Sequence, residues 1–398
     1  MNISPASEAF PRDAVQSPGS AETGRRRFLL GATALAAGLG APALVRAAGA
    51  TLRLGQSTDL TGPLSELGQA LHHGARACFA EVNARGGVHG QQIVLETLDD
   101  AYDVKRGIEN ARRLLADPDI FGLFNCFGTP MVEATLPMIR GTDVPYFAPL
   151  SGALLARPRD MRNVLNVRAS YADETEKLVN HLTPIGYKRV AVAYQNNSFG
   201  KEVLESTRLA LKKRGLDLAV AAPVESSGED AGMAAQKISG ANPDVVMLGL
   251  AGKPTAAFIR NMRQLRRGIP LYALSVMGSS ATLKELGNEG VGVTVAQVMP
   301  LPTKATMPIV REYAQAWRAA KVALPLSHSG LEGYVNARAF VEILRRAGPK
   351  PTRTAFLNAA WNLRTDLGGF DVGFSDPGSS ASRFVELTMI TGDGNFIA

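Results

Sequence analysis

Residues 51–100 read TLRLGQSTDL TGPLSELGQA LHHGARACFA EVNARGGVHG QQIVLETLDD, and their pattern decides the class of fold. Residues 52–60 form a short apolar run of strand type, and a polar loop bearing Gly62 and Pro63 follows it. Across 67–83 the apolar residues recur at helical spacing, with Leu71, Ala75, Cys78, Phe79 and Val82 on one stripe. Gly86-Gly87 and Gly90 then turn the chain into a second apolar run, 93–98. Strand, helix and strand in this order make a βαβ unit, whose two strands must lie parallel.

The same alternation continues outward from that unit. Helices are expected at 104–116 and 130–140, with strands at 120–125 and 145–149, which completes one lobe by about residue 150. The pattern restarts with strands at 164–168, 189–195, 216–222, 245–250, 271–276 and 293–298. Helices at 172–183, 201–214, 231–240, 255–266 and 281–288 lie between them. From 308 the sequence is mainly helical (308–321, 330–347, 353–363), and strands at 368–374 and 384–390 close the chain before a Gly392–Asn395 turn. The expectation is α/β, two doubly wound parallel-sheet lobes of similar size.

With 45% hydrophobic and 20% charged residues, the chain of 398 is neither disordered nor fibrous. Two cysteines exclude a disulfide scaffold and a four-thiolate zinc site, and the five histidines form no HExxH pair. The net charge of +7 is partly borne by residues 1–47, where five Arg oppose Glu8, Asp13 and Glu22. The remaining basic residues are interspersed with acids, so nucleic acid is not implied.

Residues 1–47 read as an export signal. Arg25-Arg26-Arg27-Phe28-Leu29-Leu30 opens a short Ala/Gly-rich apolar run that ends in Val45-Arg46-Ala47, a small-x-small cleavage site. The arginines resemble the twin-arginine signal, although Gly24 replaces its usual Ser/Thr and Leu30 its usual Lys. The expectation is a periplasmic protein exported by that route, with Sec export and cleavage after Ala47 or Ala50 left open. A retained membrane anchor is the competing reading of the segment. No later apolar run approaches a membrane span.

Catalytic signatures are missing. No GxGxxG follows a strand, no GxSxG surrounds a serine, and the stretch from Gly249 to Thr255 is too short for a phosphate loop and carries Pro254 where an N–H is needed. His72-His73 has no carboxylate in register and reads as a solvated helix face. No enzyme, cofactor or metal is expected. What recurs is a polar or glycine-bearing loop after a strand: 59–65, 125–130, 150–152, 196–200 and 251–255, with Thr129 expected as a helix N-cap ahead of Pro130. In open α/β sheets ligands bind outside the carboxyl ends of strands, so five such loops across two lobes imply a cleft.

The chain now resembles a family. LGQSTDLTGP (54–63), Gly74-Ala75 with EVNARGGVHG (81–90), and DDAYD (99–103) are similar in order and spacing to the branched-chain-amino-acid-type periplasmic binding proteins of ABC transporters. Tyr146 to Ser151, NSFG (197–200) and GYVNA (333–337) continue the likeness, which covers about 52–397. The resemblance implies the type I fold, with three crossovers: lobe 1 over 51–168 and 298–371, lobe 2 over 169–297 and 372–398. It implies a small-molecule ligand caught by closure and delivered to an inner-membrane ABC permease with its ATPases, by a monomer. A sensor subunit of the same fold is the alternative, and a periplasmic enzyme a more distant one.

The resemblance also implies a site. Cys126, Phe127, Gly128, Thr129, Leu150, Ser151 and Gly152 stand where relatives hold a ligand carboxylate, with Thr129 and Ser151 the best hydroxyl donors. Tyr171, Phe199 (an aromatic lid), Ala251, Gly252, Val276 and Met277 face them from lobe 2, Leu67 replaces a cleft aromatic, and Lys253 offers a second anion contact. Relatives bind the α-ammonium through an acid at the strand end matching 274–277, which reads Leu-Ser-Val-Met here. The implied ligand is therefore a carboxylate lacking a free α-amino group, unless Asp173 or Glu332 supplies the acid. The family's small-loop disulfide would fall on Ala101 and Asn125, so two free thiols are expected, Cys78 in the core and Cys126 near the ligand.

Overall fold

Two mainly parallel sheets organise the chain in a computed structural model that describes residues 50–277 and 280–398. Residues 1–47, read above as an export signal, lie outside the described residues. The first sheet is built from β1 (Thr51–Thr58), β2 (Gln92–Asp99), β3 (Ile120–Phe124), β4 (Tyr146–Phe147) and β5 (Val164–Leu165), with α1 (Ser65–Ala84), α2 (Val104–Ala116) and α3 (Thr129–Ile139) as crossovers. Its order is β2-β1-β3-β4-β5, all parallel. The chain then passes to α4 (Tyr171–Leu182), β6 (Val190–Gln195), α5 (Ser198–Lys212), β7 (Leu218–Val224), α6 (Ala231–Gly240), β8 (Val245–Gly249), α7 (Lys253–Leu265), β9 (Leu271–Ala273), α8 (Ser280–Leu286) and β10 (Thr294–Gln297). It returns to the first sheet with α9 (Pro308–Ala319), α10 (His328–Ala347) and α11 (Arg353–Ala360), followed by the small hairpin β11 (Arg364–Asp366) and β12 (Asp371–Gly373). Finally β13 (Glu386–Ile390) and β14 (Phe396–Ile397) join the second sheet, whose order is β14-β13-β10-β9-β8-β6-β7. β13 runs antiparallel to β10.

Three connections link the sheets: 166–170, 298–307 and 374–385. The first and third run side by side, because Ala381 N–H donates to Asn166 O (2.8 Å) and Ser382 N–H to Val167 O (2.9 Å). Hydrogen bonding thus carries the first lobe on past residue 371, and the chain enters the second sheet only at Glu386.

Most elements fall where the periodicity puts them, and the departures cluster at strand ends. β9 stops at Ala273 because 274–277 turn back, with Met277 N–H on Leu274 O. α5 begins at Ser198, capped by the Asn197 side chain on Gly200 N–H (3.2 Å). α7 begins at Lys253 with Pro254 in its first turn, where a missing N–H costs nothing. At α3 the cap is Gly128 (φ 98°), and Thr129 is the first helical residue rather than the cap. α11 ends before the unforeseen strand β11. His72 is buried, not solvated: its Nδ1 meets Gln56 Oε1 at 2.9 Å, and burial pushes its pKa down to about 4.

The first lobe is held around the crossing of α1 and α10. A Cβ at Gly74 would stand 1.9 Å from Gly330 O, and one at Gly333 would stand 2.0 Å from Leu71 O. The glycines therefore let two backbones touch, which brings the motif around residue 74 against the motif around 333. An aromatic core of Phe79, Phe124, Phe147, Phe340 and Phe356 lies beneath them, with Phe340 and Phe356 rings 4.7 Å apart. Gly333→Ala should lower stability by about 2–3 kcal/mol through overpacking. A urea midpoint equal to wild type would show that the helices can separate at no cost.

Candidate functional site

The loops leaving β3 and β4 are zipped together. Gly128 N–H donates to Leu150 O (3.1 Å) and Leu150 N–H to Cys126 O (2.8 Å). Thr129 Oγ1 and Ser151 Oγ sit 2.9 Å apart, both buried. The space above them is occupied by the second lobe. A Cβ on Gly152 would stand 2.4 Å from the Tyr171 ring, whose hydroxyl is hydrogen-bonded to Thr129. Phe199 packs edge-on against Tyr171 at 5.2 Å. Across the same seam Leu154 N–H donates to Glu202 Oε1 (2.9 Å), and a Cβ on Gly252 would stand 2.5 Å from Leu64. The lobes are closed here.

Room is left on the side of the connections. A cavity of about 400 Å³ lies between Leu67 and Ala70 of α1, Ser275, Gln297 at the end of β10, Leu301, Leu326 and His328 before and on α10, and Phe396 of β14. A narrow extension shares Leu67, Ser275, Gln297, His328 and Ser329 with it and reaches Arg168, Glu332, Phe127, Leu150 and Val276. Of the expected residues, Leu67, Phe127, Leu150 and Val276 border this space. Gly128, Thr129, Ser151, Gly152, Tyr171, Phe199, Ala251, Gly252 and Met277 border neither cavity nor extension. Lys253 is exposed on the first turn of α7. Cys126 is turned away from the seam into a core of Leu114, Val132, Leu136 and Tyr146.

The floor of the extension is ionic. Arg168 Nη2 donates to Glu174 Oε1 (3.3 Å) and to Ser275 Oγ, and Nη1 lies 3.6 Å from Glu332 Oε1. Glu174 also accepts from Ser275 N–H (2.8 Å) and from its hydroxyl (3.1 Å). Arg168, Glu174 and Glu332 are 2%, 0% and 4% exposed, so these charges are held almost wholly by one another. Burial opposes the Arg168 charge, but Glu332 and Glu174 hold the guanidinium above its ordinary value. Burial pushes Glu174 up to about 7 against the pull of Arg168 and Ser275, and raises Glu332 as well. Arg168 Nε and Nη1 have no hydrogen-bond partner, nor do Gln297 Oε1 and His328 Nε2. Behind the cluster Arg157 donates to Ser151 O, Ala153 O, Arg168 O and Ser380 Oγ.

Of the two acids the sequence offers, Asp173 is committed to its capping box with Ser170, whereas Glu332 borders the extension. Arg168, Glu174, Gln297 and His328 escaped sequence reasoning. Glu174 carried a signal, since it falls on the buried stripe of α4 with Tyr171, Leu178 and Leu182. Among the described residues no group of three His, Cys, Asp or Glu could hold a metal ion.

The profile of the periplasmic binding protein family matches residues 51–395. The chain belongs to that family. It is 26% identical over 316 residues to Leu/Ile/Val-binding protein homolog 7 of Brucella suis biovar 1, covering 75% of this chain and 78% of that one. A substrate-binding periplasmic protein from Ralstonia solanacearum superposes with TM-score 0.81 at 30% identity, over 87% of this chain and 99% of the other. A possible leucine/isoleucine/valine-binding protein from Rhodopirellula baltica gives 0.80 at 28%, over 88% and 97%. The fold alone is shared with a Thermus thermophilus protein with bound valine (0.77, 19%, 87% and 94%) and an R. palustris solute binding protein in complex with 4-hydroxybenzoate (0.77, 16%, 87% and 95%).

Two outcomes follow from burial. Burial pushes the Cys126 thiol up to about 12 and the Cys78 thiol higher still, and both are free. A thiol reagent should therefore find nothing in the folded protein and both cysteines in denaturant; prompt labelling of native Cys126 would contradict its placement. Glu174 holds its proton more tightly folded than unfolded, so its ionisation costs stability, with no cost below about pH 4.5 and the full cost above about pH 7. Glu174→Gln should accordingly gain on wild type as pH rises through that window, by an amount on the order of 1–3 kcal/mol. Melting curves with a constant difference at every pH would contradict it.

Proposed function

We propose that this chain is an exported solute-binding protein that captures a small organic carboxylate lacking a free α-amino group and delivers it, as a monomer in the periplasm, to an inner-membrane ABC permease and its ATPases. Export through the 1–47 segment by the twin-arginine route belongs to this reading, as does a purely binding, non-enzymatic role. The observation that carries the ligand class is Arg168: a buried guanidinium bordering an interlobe space, whose Nε and Nη1 make no hydrogen bond although Nη1 lies 3.6 Å from Glu332 Oε1. Unmade hydrogen bonds of a buried charge are costly, and a carboxylate is the natural complement of a guanidinium fork. Capture then works by closure, because a ligand touching both lobes favours the closed arrangement by its differential affinity.

One observation favours a second reading. Glu332 borders the same extension, so an amino acid could set its ammonium there and its carboxylate on Arg168. An ammonium left without an acid would lose several kcal/mol, enough to abolish micromolar binding at about −8 kcal/mol. Calorimetry with leucine, isoleucine and valine beside isocaproate, 3-methylvalerate and isovalerate separates the two. The acids should bind and the amino acids should not; tight amino-acid binding with silent acids would overturn the carboxylate reading. A bound acid at about a hundredfold excess over Kd should also add about 2.7 kcal/mol to stability in a thermal-shift assay.

A further inference from the structure

The buried ion cluster lies across the line along which the two lobes part. Glu174 on α4 and Ser275 after β9 belong to the second lobe, Glu332 on α10 belongs to the first, and Arg168 stands in the connection between them. The two sides hold the guanidinium unequally. Toward the second lobe its Nη2 donates to Glu174 Oε1 (3.3 Å) and to Ser275 Oγ, and its carbon lies 5.7 Å from the centre of the Tyr171 ring. Toward the first lobe its Nη1 is 3.6 Å from Glu332 Oε1 and makes no hydrogen bond. Parting the lobes breaks the looser contact, to Glu332, and leaves Arg168, Glu174 and Ser275 together.

We propose that this cluster is a proton-operated latch: the closed lobes hold two carboxyl groups on one guanidinium by keeping an extra proton there, and opening the lobes releases that proton to water. The latch acts in the protein without ligand, and it rests on capture by closure only for the lobe motion itself.

The groups facing the two acids set the balance. Glu332 faces Arg168 and, behind it, Arg157, with His328 one turn earlier on its own helix. Glu174 faces Arg168, Glu332 and Tyr171. Burial pushes the His328 pKa down to about 3 and the Tyr171 hydroxyl up, so both rings stay neutral. Arg157 spends its donors on Ser151 O, Ala153 O, Arg168 O and Ser380 Oγ, and its charge also feels Asp173. One guanidinium in direct contact thus answers two carboxylates. Burial outweighs the pull of the arginines, raising Glu332 and pushing Glu174 up to about 7. Opening separates the two acids and admits water to Glu332, which removes both causes of the shift. The closed form therefore holds the proton more tightly than the open one. Its advantage is full below about pH 4.5 and gone above about pH 7, and the closed-to-open ratio falls across that window by up to about a hundredfold.

The test is the distance between spin labels on Lys105→Cys and Lys201→Cys, exposed positions in the first turns of α2 and α5 on opposite lobes. Native Cys78 and Cys126 are buried and take no label. Pulsed electron resonance is recorded without ligand from about pH 4.5 to about pH 8 in the labelled chain and with Glu332→Gln or Glu174→Gln added, each first shown to be folded by its melting curve. In the labelled chain the short distance should give way to a longer one as pH rises. Each glutamine variant leaves one acid per guanidinium and should keep one distribution at every pH. Distances that ignore pH in the labelled chain would overturn the latch, and so would a pH response retained in both variants. Capture by closure is read separately, from shortening of the same distance when isocaproate is added, so failure of the proton link and failure of closure are told apart.

Discussion

A guanidinium shut away from water at the point where the chain first leaves one lobe for the other constrains everything around it. Arg168 sits in the 166–170 connection, with Glu174 of the second lobe on one side and Glu332 of the first on the other. Desolvating three such charges is expensive, and their mutual attraction repays it only while all stay in register. Removing one partner of a buried pair typically costs about 3–5 kcal/mol, because the survivor is left uncompensated. Arg157 extends the constraint: its four hydrogen bonds tie the loop after β4 to the first and third connections. Loop, hinge and ion cluster are therefore one mechanical unit.

Closure builds on that unit. At the far side of the seam the lobes meet through small contacts, Leu64 against Gly252 and Leu154 N–H on Glu202. Tyr171 and Phe199 pack between the lobes in one apolar cluster with Leu64, Phe127 and Leu150. A cavity of about 400 Å³ survives beside the connections, where α1, α10 and the end of β10 converge with the C-terminal strand.

The fold was legible in the sequence because it is written in short-range patterns. Apolar runs and stripes located the βα units, and the paired glycine motifs near 74 and 333 proved to be the two sides of one helix crossing. Strand ends were less legible. Thr129 looked like a cap on local chemistry, but the tertiary partner Ser151 claimed its hydroxyl. Cys126 packs into the first lobe's core and Lys253 is exposed on α7, since a strand's alternation fixes a side chain's face only while the strand lasts. Arg168 and Glu174 were missed because burial of a charge depends on partners distant in sequence, Ser275 and Glu332 among them. An acid on the inner stripe of α4 was the one local trace of that cluster.

The most direct measurement is to purify the protein from the periplasm of its own host without added ligand, unfold it, and identify by mass spectrometry the small molecule released. The account predicts a monocarboxylic acid without a primary amine, present in proportion to the protein. Leucine, isoleucine or valine released in that proportion would contradict it.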